Sequence, residues 1–178
     1  MKVLAYAASN SKQSINHQLV RYASSLLKRA QVEFIDINDF EMPLYSPERE
    51  ETTGIPEQAH AFFKRIGQAD ALLISFAEHN GSFTAAYKNL FDWSSRIDMK
   101  VYQDKPAVML ATSPGGRGGA GVLGTATQSA STFGANLKGS VSVPSFYDRF
   151  NVEAEQLTDD ALNDALITAV RQLEATDG

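Results

Sequence analysis

The run Ala69-Asp70-Ala71-Leu72-Leu73-Ile74-Ser75-Phe76 is apolar on successive positions rather than on alternate ones. A strand of that composition cannot leave either face in water, so it belongs at the centre of a sheet covered on both sides. Sheets covered in this way are parallel, because crossover helices bring the cover to both faces. Shorter apolar runs at residues 3–8 and 106–112, and a weaker one within 137–143, fit the same scheme. Val32-Glu33-Phe34-Ile35-Asp36 instead alternates apolar and charged residues, as a half-covered strand near a sheet edge does.

Helical patterns separate these strands. Ile15, Leu19, Tyr22, Ala23, Leu26 and Leu27 recur at helical spacing, and Lys28 and Arg29 fall where the negative end of the helix dipole is expected. Pro56 opens a second helix with Ala59, Phe62, Phe63 and Ile66 on one face. A third runs from Phe83 with Tyr87, Leu90, Phe91 and Trp93 inward, and a fourth occupies residues 122–133. Thr158 is expected to cap the last, with Asp159 and Asp160 in its first turn and Leu162, Leu166, Val170 and Leu173 along one stripe. Residues 38–53, punctuated by Pro43 and Pro47, read as one long polar loop, of the kind that is mobile or functional.

Strand and helix thus alternate through 178 residues with no repeat and no linker, which implies one α/β domain over 1–178. The expected architecture is a flavodoxin-like three-layer sandwich: a five-stranded parallel sheet in the order 2-1-3-4-5 with helices on both faces. In such sheets a ligand lies beyond the carboxyl ends of the strands, between the first and third, so the loops after strands one, three and four should converge. Those loops are Ser9-Asn10-Ser11-Lys12-Gln13-Ser14, Ala77-Glu78-His79-Asn80-Gly81-Ser82 and Ser113-Pro114-Gly115-Gly116-Arg117-Gly118-Gly119.

The first joins a buried strand to a helix N-terminus, where main-chain N–H groups converge on a phosphate-sized anion. Ser9, Ser11, Ser14 and Asn16 add side-chain donors and Lys12 a full charge, although Ser11 or Ser14 also suits a plain helix cap. The glycines after strand four contain two dinucleotide-like strings, beginning at Gly116 and Gly119. They follow the wrong strand and lack an acidic residue ~20 positions on, so they point to a backbone lying against a flat ligand, or to a plain turn. No phosphate-loop or nucleophile-elbow string is present.

Three histidines, at 17, 60 and 79, show no metal-ligand spacing, so no metal site is assigned. His79 alone falls in the expected cleft, either as a cleft residue or as a solvated residue of the Asn80-Gly81 turn. With no cysteine there is no thiol chemistry, so electron transfer requires a bound cofactor. A formal charge of −5 without a basic block argues against nucleic acid or an anionic membrane as a general partner. No apolar run approaches the ~18 residues that span a bilayer, and Met1-Lys2 leads into a strand without a signal-peptide pattern, so a cytoplasmic location is expected.

Several segments together resemble the NADPH-dependent FMN reductase family, which includes quinone, chromate and azo reductases. They are Ser9-Asn10-Ser11-Lys12-Gln13-Ser14-Ile15-Asn16, Pro43-Leu44-Tyr45, Ala69-Asp70-Ala71-Leu72-Leu73-Ile74-Ser75, Glu78-His79-Asn80-Gly81-Ser82, Lys88-Asn89-Leu90-Phe91-Asp92-Trp93 and Ser113-Pro114-Gly115-Gly116, spread over roughly residues 2–140. The resemblance implies FMN as cofactor, NADPH or NADH as co-substrate, and hydride transfer through the flavin to a quinone, free flavin or similar small electron acceptor. It implies that Ser9, Ser11, Ser14, Ile15 and Asn16 hold the FMN phosphate. Glu78, His79 and Asn80 would then lie along the flavin ring, and Ser113 and Gly115 would line its other edge. Of these only His79 is a possible catalytic contributor. A homodimer or homotetramer is implied, with the Asp92-Trp93 helix near the subunit contact. Ala8, Ser11, Ala77 and His79 stand where the family commonly has Gly, Arg, Pro and Tyr. The alternative reading is an FMN-binding electron carrier or regulatory module without nicotinamide activity.

Overall fold

The computed structural model describes residues 1–175, so the last three residues of the expected domain lie outside the described residues. Its strands are β1 (Lys2–Ala8), β2 (Gln31–Phe34), β3 (Ala71–Phe76), β4 (Glu78–His79), β5 (Ser82–Phe83), β6 (Lys105–Thr112), β7 (Ala135–Val143), β8 (Phe150–Asn151) and β9 (Gln156–Leu157). Its helices are α1 (Ile15–Ser25), α2 (Pro47–Thr53), α3 (Glu57–Gly67), α4 (Ala85–Ser94), α5 (Ala120–Ser129), α6 (Phe146–Arg149) and α7 (Asp160–Glu174).

Five strands form one parallel sheet in the order β2-β1-β3-β6-β7. With the short hairpins set aside, this is the 2-1-3-4-5 order expected of the flavodoxin-like fold. All six residues of β3 are buried, as its unbroken apolar run requires. Leu72, Ile74 and Phe76 pack under α3, α4 and α5, while Ala71 and Leu73 pack under α1 and α7. The polar turn residues then fall at the strand ends, where main-chain groups need partners other than the sheet.

Several boundaries differ from the sequence reading, each for a local reason. Residues 38–53 are not one loop: a 3-10 turn covers Ile37–Phe40, and α2 begins at Pro47 behind a Ser46 cap. None of the residues of α2 is buried, so it carries no apolar period to betray it. The third expected helix starts at Ala85 rather than Phe83, because residues 78–83 form a hairpin and Thr84 caps the helix. The fourth spans Ala120–Ser129 and opens behind Gly119, which is in the left-handed region. The last is capped by Asp159, not Thr158. Helix α1 ends at Ser25, so Lys28 and Arg29 lie beyond its last turn, where their main-chain N–H groups donate to Glu174 of α7.

The face under α3 and α4 buries three phenols. Tyr87 and Tyr102 share a hydrogen bond of 2.9 Å, and Tyr6 packs beside Tyr87 with ring centroids 6.4 Å apart. Burial pushes all three above the ordinary tyrosine range, Tyr102 to about 12. Below the unfolded value, about 10, both states hold these protons and stability is complete. As pH rises toward 12 the unfolded chain ionises first, so stability falls, with a slope that approaches roughly 1 kcal/mol per pH unit for each phenol once the unfolded chain is fully ionised. Urea unfolding followed from about pH 9 upward should show this decline, and Tyr102→Phe should flatten it.

Candidate active site

The loop after β1 folds on its own hydroxyls. Ser9 Oγ accepts from the N–H of Ser11 and Ser11 Oγ from that of Gln13, each at 3.3 Å. Ser14 Oγ caps α1 by accepting from the Asn16 N–H at 3.2 Å. Each hydroxyl oxygen is thus engaged as an acceptor while its hydrogen remains free to donate. The N–H groups of Lys12 and Ile15 have no main-chain acceptor among the described residues; for Ile15 this is expected of the first turn of a helix, while Lys12 lies in the turn before the cap. Three hydroxyls and two amides make a neutral donor set beside one exposed ammonium, that of Lys12. Capping and anion binding by Ser14 are therefore compatible, because they use different atoms. The Asn16 side chain lies elsewhere: it is 2% exposed and bonded to Ser75 and Thr112 on the two neighbouring strands.

After β3 the chain makes a two-residue hairpin. Asn80 and Gly81 sit at φ 52° and 77° between β4 and β5, the left-handed pair that suits the twist of a tight hairpin. The Glu78 carboxylate accepts from the Val122 N–H at 2.8 Å. It caps α5, where a negative charge at the first turn is favoured. His79 is exposed on the hairpin. Thr84 donates to the carbonyl of Ala8 at 3.2 Å, which ties this loop to the mouth of β1.

The loop after β6 is pinned from behind. Ser113 Oγ donates to the carbonyl of Gly115 (3.2 Å), which also accepts from Gly118 (3.2 Å) and Ser145 (3.0 Å). A Cβ on Gly118 would stand 2.5 Å from Ser142 Oγ and 2.7 Å from the nitrogen of Pro144, at φ 58°. One on Gly121 would meet the Glu78 carboxylate at 2.8 Å. These glycines serve packing, which accounts for a dinucleotide-like string at a place where the fingerprint does not belong. Gly115 and Gly116 differ, since nothing stands within 4 Å of a Cβ there and their main chain is open to a flat ligand.

Sequence reasoning singled out Pro43-Leu44-Tyr45 by resemblance but missed how residues 42–45 are held. Asn89 of α4 accepts from the Tyr45 N–H at 2.8 Å and donates to the carbonyls of Met42 and Pro43, both at 3.1 Å. The Trp93 indole N–H adds a bond of 2.8 Å to Pro43, and its ring meets Tyr45 edge-on at 5.0 Å. Asn89 and Trp93 lie four residues apart, one face of α4, and that spacing was the available signal. Trp93 is fully buried within its own chain, so the outward groups of this stretch are Lys88 and Asp92, paired at 2.7 Å. The clamped loop walls a cavity of about 310 Å³ shared by Asn10, Asn38, Phe40, Met42, Leu44 and Asn89. A larger hollow of about 520 Å³ between α1, β2 and the β8–β9 hairpin contains no residue of the three convergent loops. His17 and His60 lie on α1 and α3, outside those loops.

The family model of the NADPH-dependent FMN reductases matches residues 1–148. An NADPH:quinone oxidoreductase of Arabidopsis thaliana is 36% identical over 123 residues, 67% of this chain and 61% of its own length. A 2-hydroxy-1,4-benzoquinone reductase of a Burkholderia species is 35% identical over 120 residues, 66% of this chain and 63% of its own. The chain thus spans about three fifths of the length of these relatives. A solved flavoenzyme NAD(P)H:(acceptor) oxidoreductase from Paracoccus denitrificans superposes with a TM-score of 0.78 at 24% identity, covering 97% of this chain and 94% of that one. The likeness to that structure is one of fold.

Truncation of the Asn89 clamp should show its strength. Asn89→Ala leaves the Tyr45 N–H and the Met42 carbonyl without this partner, while Pro43 keeps Trp93, so it should lower stability by about 2 kcal/mol in urea unfolding. Hydrogen exchange should rise chiefly over residues 42–53.

Proposed function

The chain belongs to the NADPH-dependent FMN reductase family, and we propose from this that it is an FMN-dependent NAD(P)H oxidoreductase delivering electrons to a quinone, free flavin or similar small acceptor. The observation that carries this reading is the neutral donor set at the start of α1, facing the two loops that the sheet order brings to the same edge. The residues present fit FMN. Hydroxyl hydrogens of Ser9, Ser11 and Ser14, with the N–H groups of Lys12 and Ile15, suit the single terminal phosphate of a mononucleotide. The open main chain at Gly115 and Gly116 suits a flat ring.

When bound, FMN supplies acceptance of hydride from a nicotinamide and its delivery to the acceptor. The chain's part is to hold and orient. Glu78 is fixed on α5 through its carboxylate, so its contribution along the ring is through main chain, and Asn80 follows in the left-handed turn of the hairpin. Ser113 and Gly115 line the other edge on a segment anchored to Ser145 and Phe146. His79, exposed on the hairpin, is the one side chain of this loop to which the reading gives a part in proton or substrate handling. Quinones as acceptors are favoured by the relatives from Arabidopsis and Burkholderia. No helix among the described residues is long and apolar enough to cross a membrane. A cytoplasmic location is part of the proposal, because the reaction draws on a nicotinamide pool. So is one FMN-binding domain, in a homodimer or homotetramer with the outward Lys88–Asp92 side of α4 near the contact.

Purified protein titrated with FMN should bind it with a perturbed visible spectrum, and NADPH or NADH should then be oxidised steadily when a benzoquinone is added. Bound flavin that neither nucleotide reduces would make the protein a carrier, and absence of FMN binding would overturn the assignment altogether. Ser14→Asp separates capping from phosphate binding. Asp caps a helix as well as Ser does, so stability should hold, while a carboxylate facing the phosphate should weaken FMN by about 2 kcal/mol. Ser11→Arg should act in the opposite sense, tightening FMN about tenfold or more by a charge-assisted bond, as read by calorimetric titration.

A further inference from the structure

Asn16 is the second residue of α1, and its side chain is buried against the ends of β3 and β6. Its Oδ1 accepts from Ser75 Oγ at 2.8 Å and from the Thr112 N–H at 3.1 Å, while its Nδ2 donates to the Thr112 carbonyl at 3.2 Å. Engaging both main-chain groups of one residue is what a neighbouring strand does. The register shows why a stand-in is needed. Strands β3 and β6 pair as far as Phe76 opposite Ala111, after which β3 leaves for its hairpin. Thr112 keeps β7 on one side, through Val143, and has Asn16 on the other.

The same residue reaches the other two loops. Its own N–H donates to Ser14 Oγ, the cap of α1. Ser75 lies three residues before Glu78, and Thr112 immediately precedes Ser113. A carboxamide can do this because it is donor and acceptor at once, whereas an ionised carboxylate would face the Thr112 carbonyl with a second acceptor.

We propose that Asn16 is a positioning residue: through Ser75 and Thr112 it fixes the phosphate end of the cofactor site against the ring end, and its side chain does not touch the phosphate, an inference that rests on the FMN reading above. It replaces the role implied by family resemblance, in which Asn16 is itself a phosphate ligand. Ser9, Ser11, Ser14 and the two free amides then carry the anion without it.

The first test uses the protein without flavin. Asn16→Ala should raise amide exchange over residues 112–119 and 9–15 together, roughly tenfold or more, with α3 and β2 unchanged. Unchanged exchange over 112–119 would overturn the proposal. The second uses FMN at saturation. Asn16→Ala should alter the visible band of the bound flavin, since the loop along its ring has moved. Weakened affinity with a wild-type band at saturation would instead mark Asn16 as a phosphate ligand. Asn16→Asp supplies a rescue and serves if the alanine variant fails to fold. Protonated Asp carries a donor and an acceptor, so exchange protection over 112–119 should return as pH falls through the carboxyl titration and be lost at neutral pH. Protection that does not follow pH in that variant counts against the proposal. If wild-type protein binds no FMN, the assignment of function falls, while the exchange measurements still decide the role of Asn16.

Discussion

A parallel sheet sends every strand end with loops to the same side, and in this protein that constraint generates the candidate site. Because β1, β3 and β6 are neighbours running the same way, the three loops that leave them have nowhere to go but one edge. Burial of β3 on both faces enforces the arrangement, since helices must cover the sheet above and below. The loops are then held to one another by polar bonds: Thr84 to Ala8, Glu78 to Val122, and Asn16 to Ser75 and Thr112. The apolar core decides where the site is, and these few buried polar groups decide its shape.

That division explains what could be read from the chain alone. Strand order and layer cover follow from hydrophobic period, so a five-stranded flavodoxin-like sheet was legible from residues such as Leu72, Leu73 and Ile74. Helix α2 was not, because a helix that buries nothing leaves no period. The last helix was found but its cap was displaced by one, because Thr158 and Asp159 are both competent caps and only the backbone chooses between them.

At the candidate site the convergence of the loops was legible in the sequence and the direction of the side chains was not. Glu78 and Asn16 belong to the convergent segments, yet both direct their side chains into the protein, one onto α5 and one onto Thr112. A motif constrains which residue type stands at a position, whereas the direction of a side chain depends on neighbours distant in sequence: 44 residues away for Glu78 and 96 for Asn16. The same limit hid the clamp on residues 42–45. Asn89 and Trp93 read as one polar and one apolar helix residue, and their common purpose shows only when Met42, Pro43 and Tyr45 are beside them.

Neutral donors give the proposed phosphate site its own character. A guanidinium at position 11 would attract a dianion over several ångströms and would be weakened by salt. Serine hydroxyls and helix amides act only at contact, where their dipoles are already aligned by the cap and by the two serine turns of the loop. Alignment before binding removes the cost of ordering the loop when the anion arrives. The arrangement therefore depends on loop geometry more than on charge, and geometry is what the buried carboxamide at position 16 supplies. In a chain of formal charge −5, a site that works by preorganised hydrogen bonds makes Asn16 matter more than it would beside an arginine.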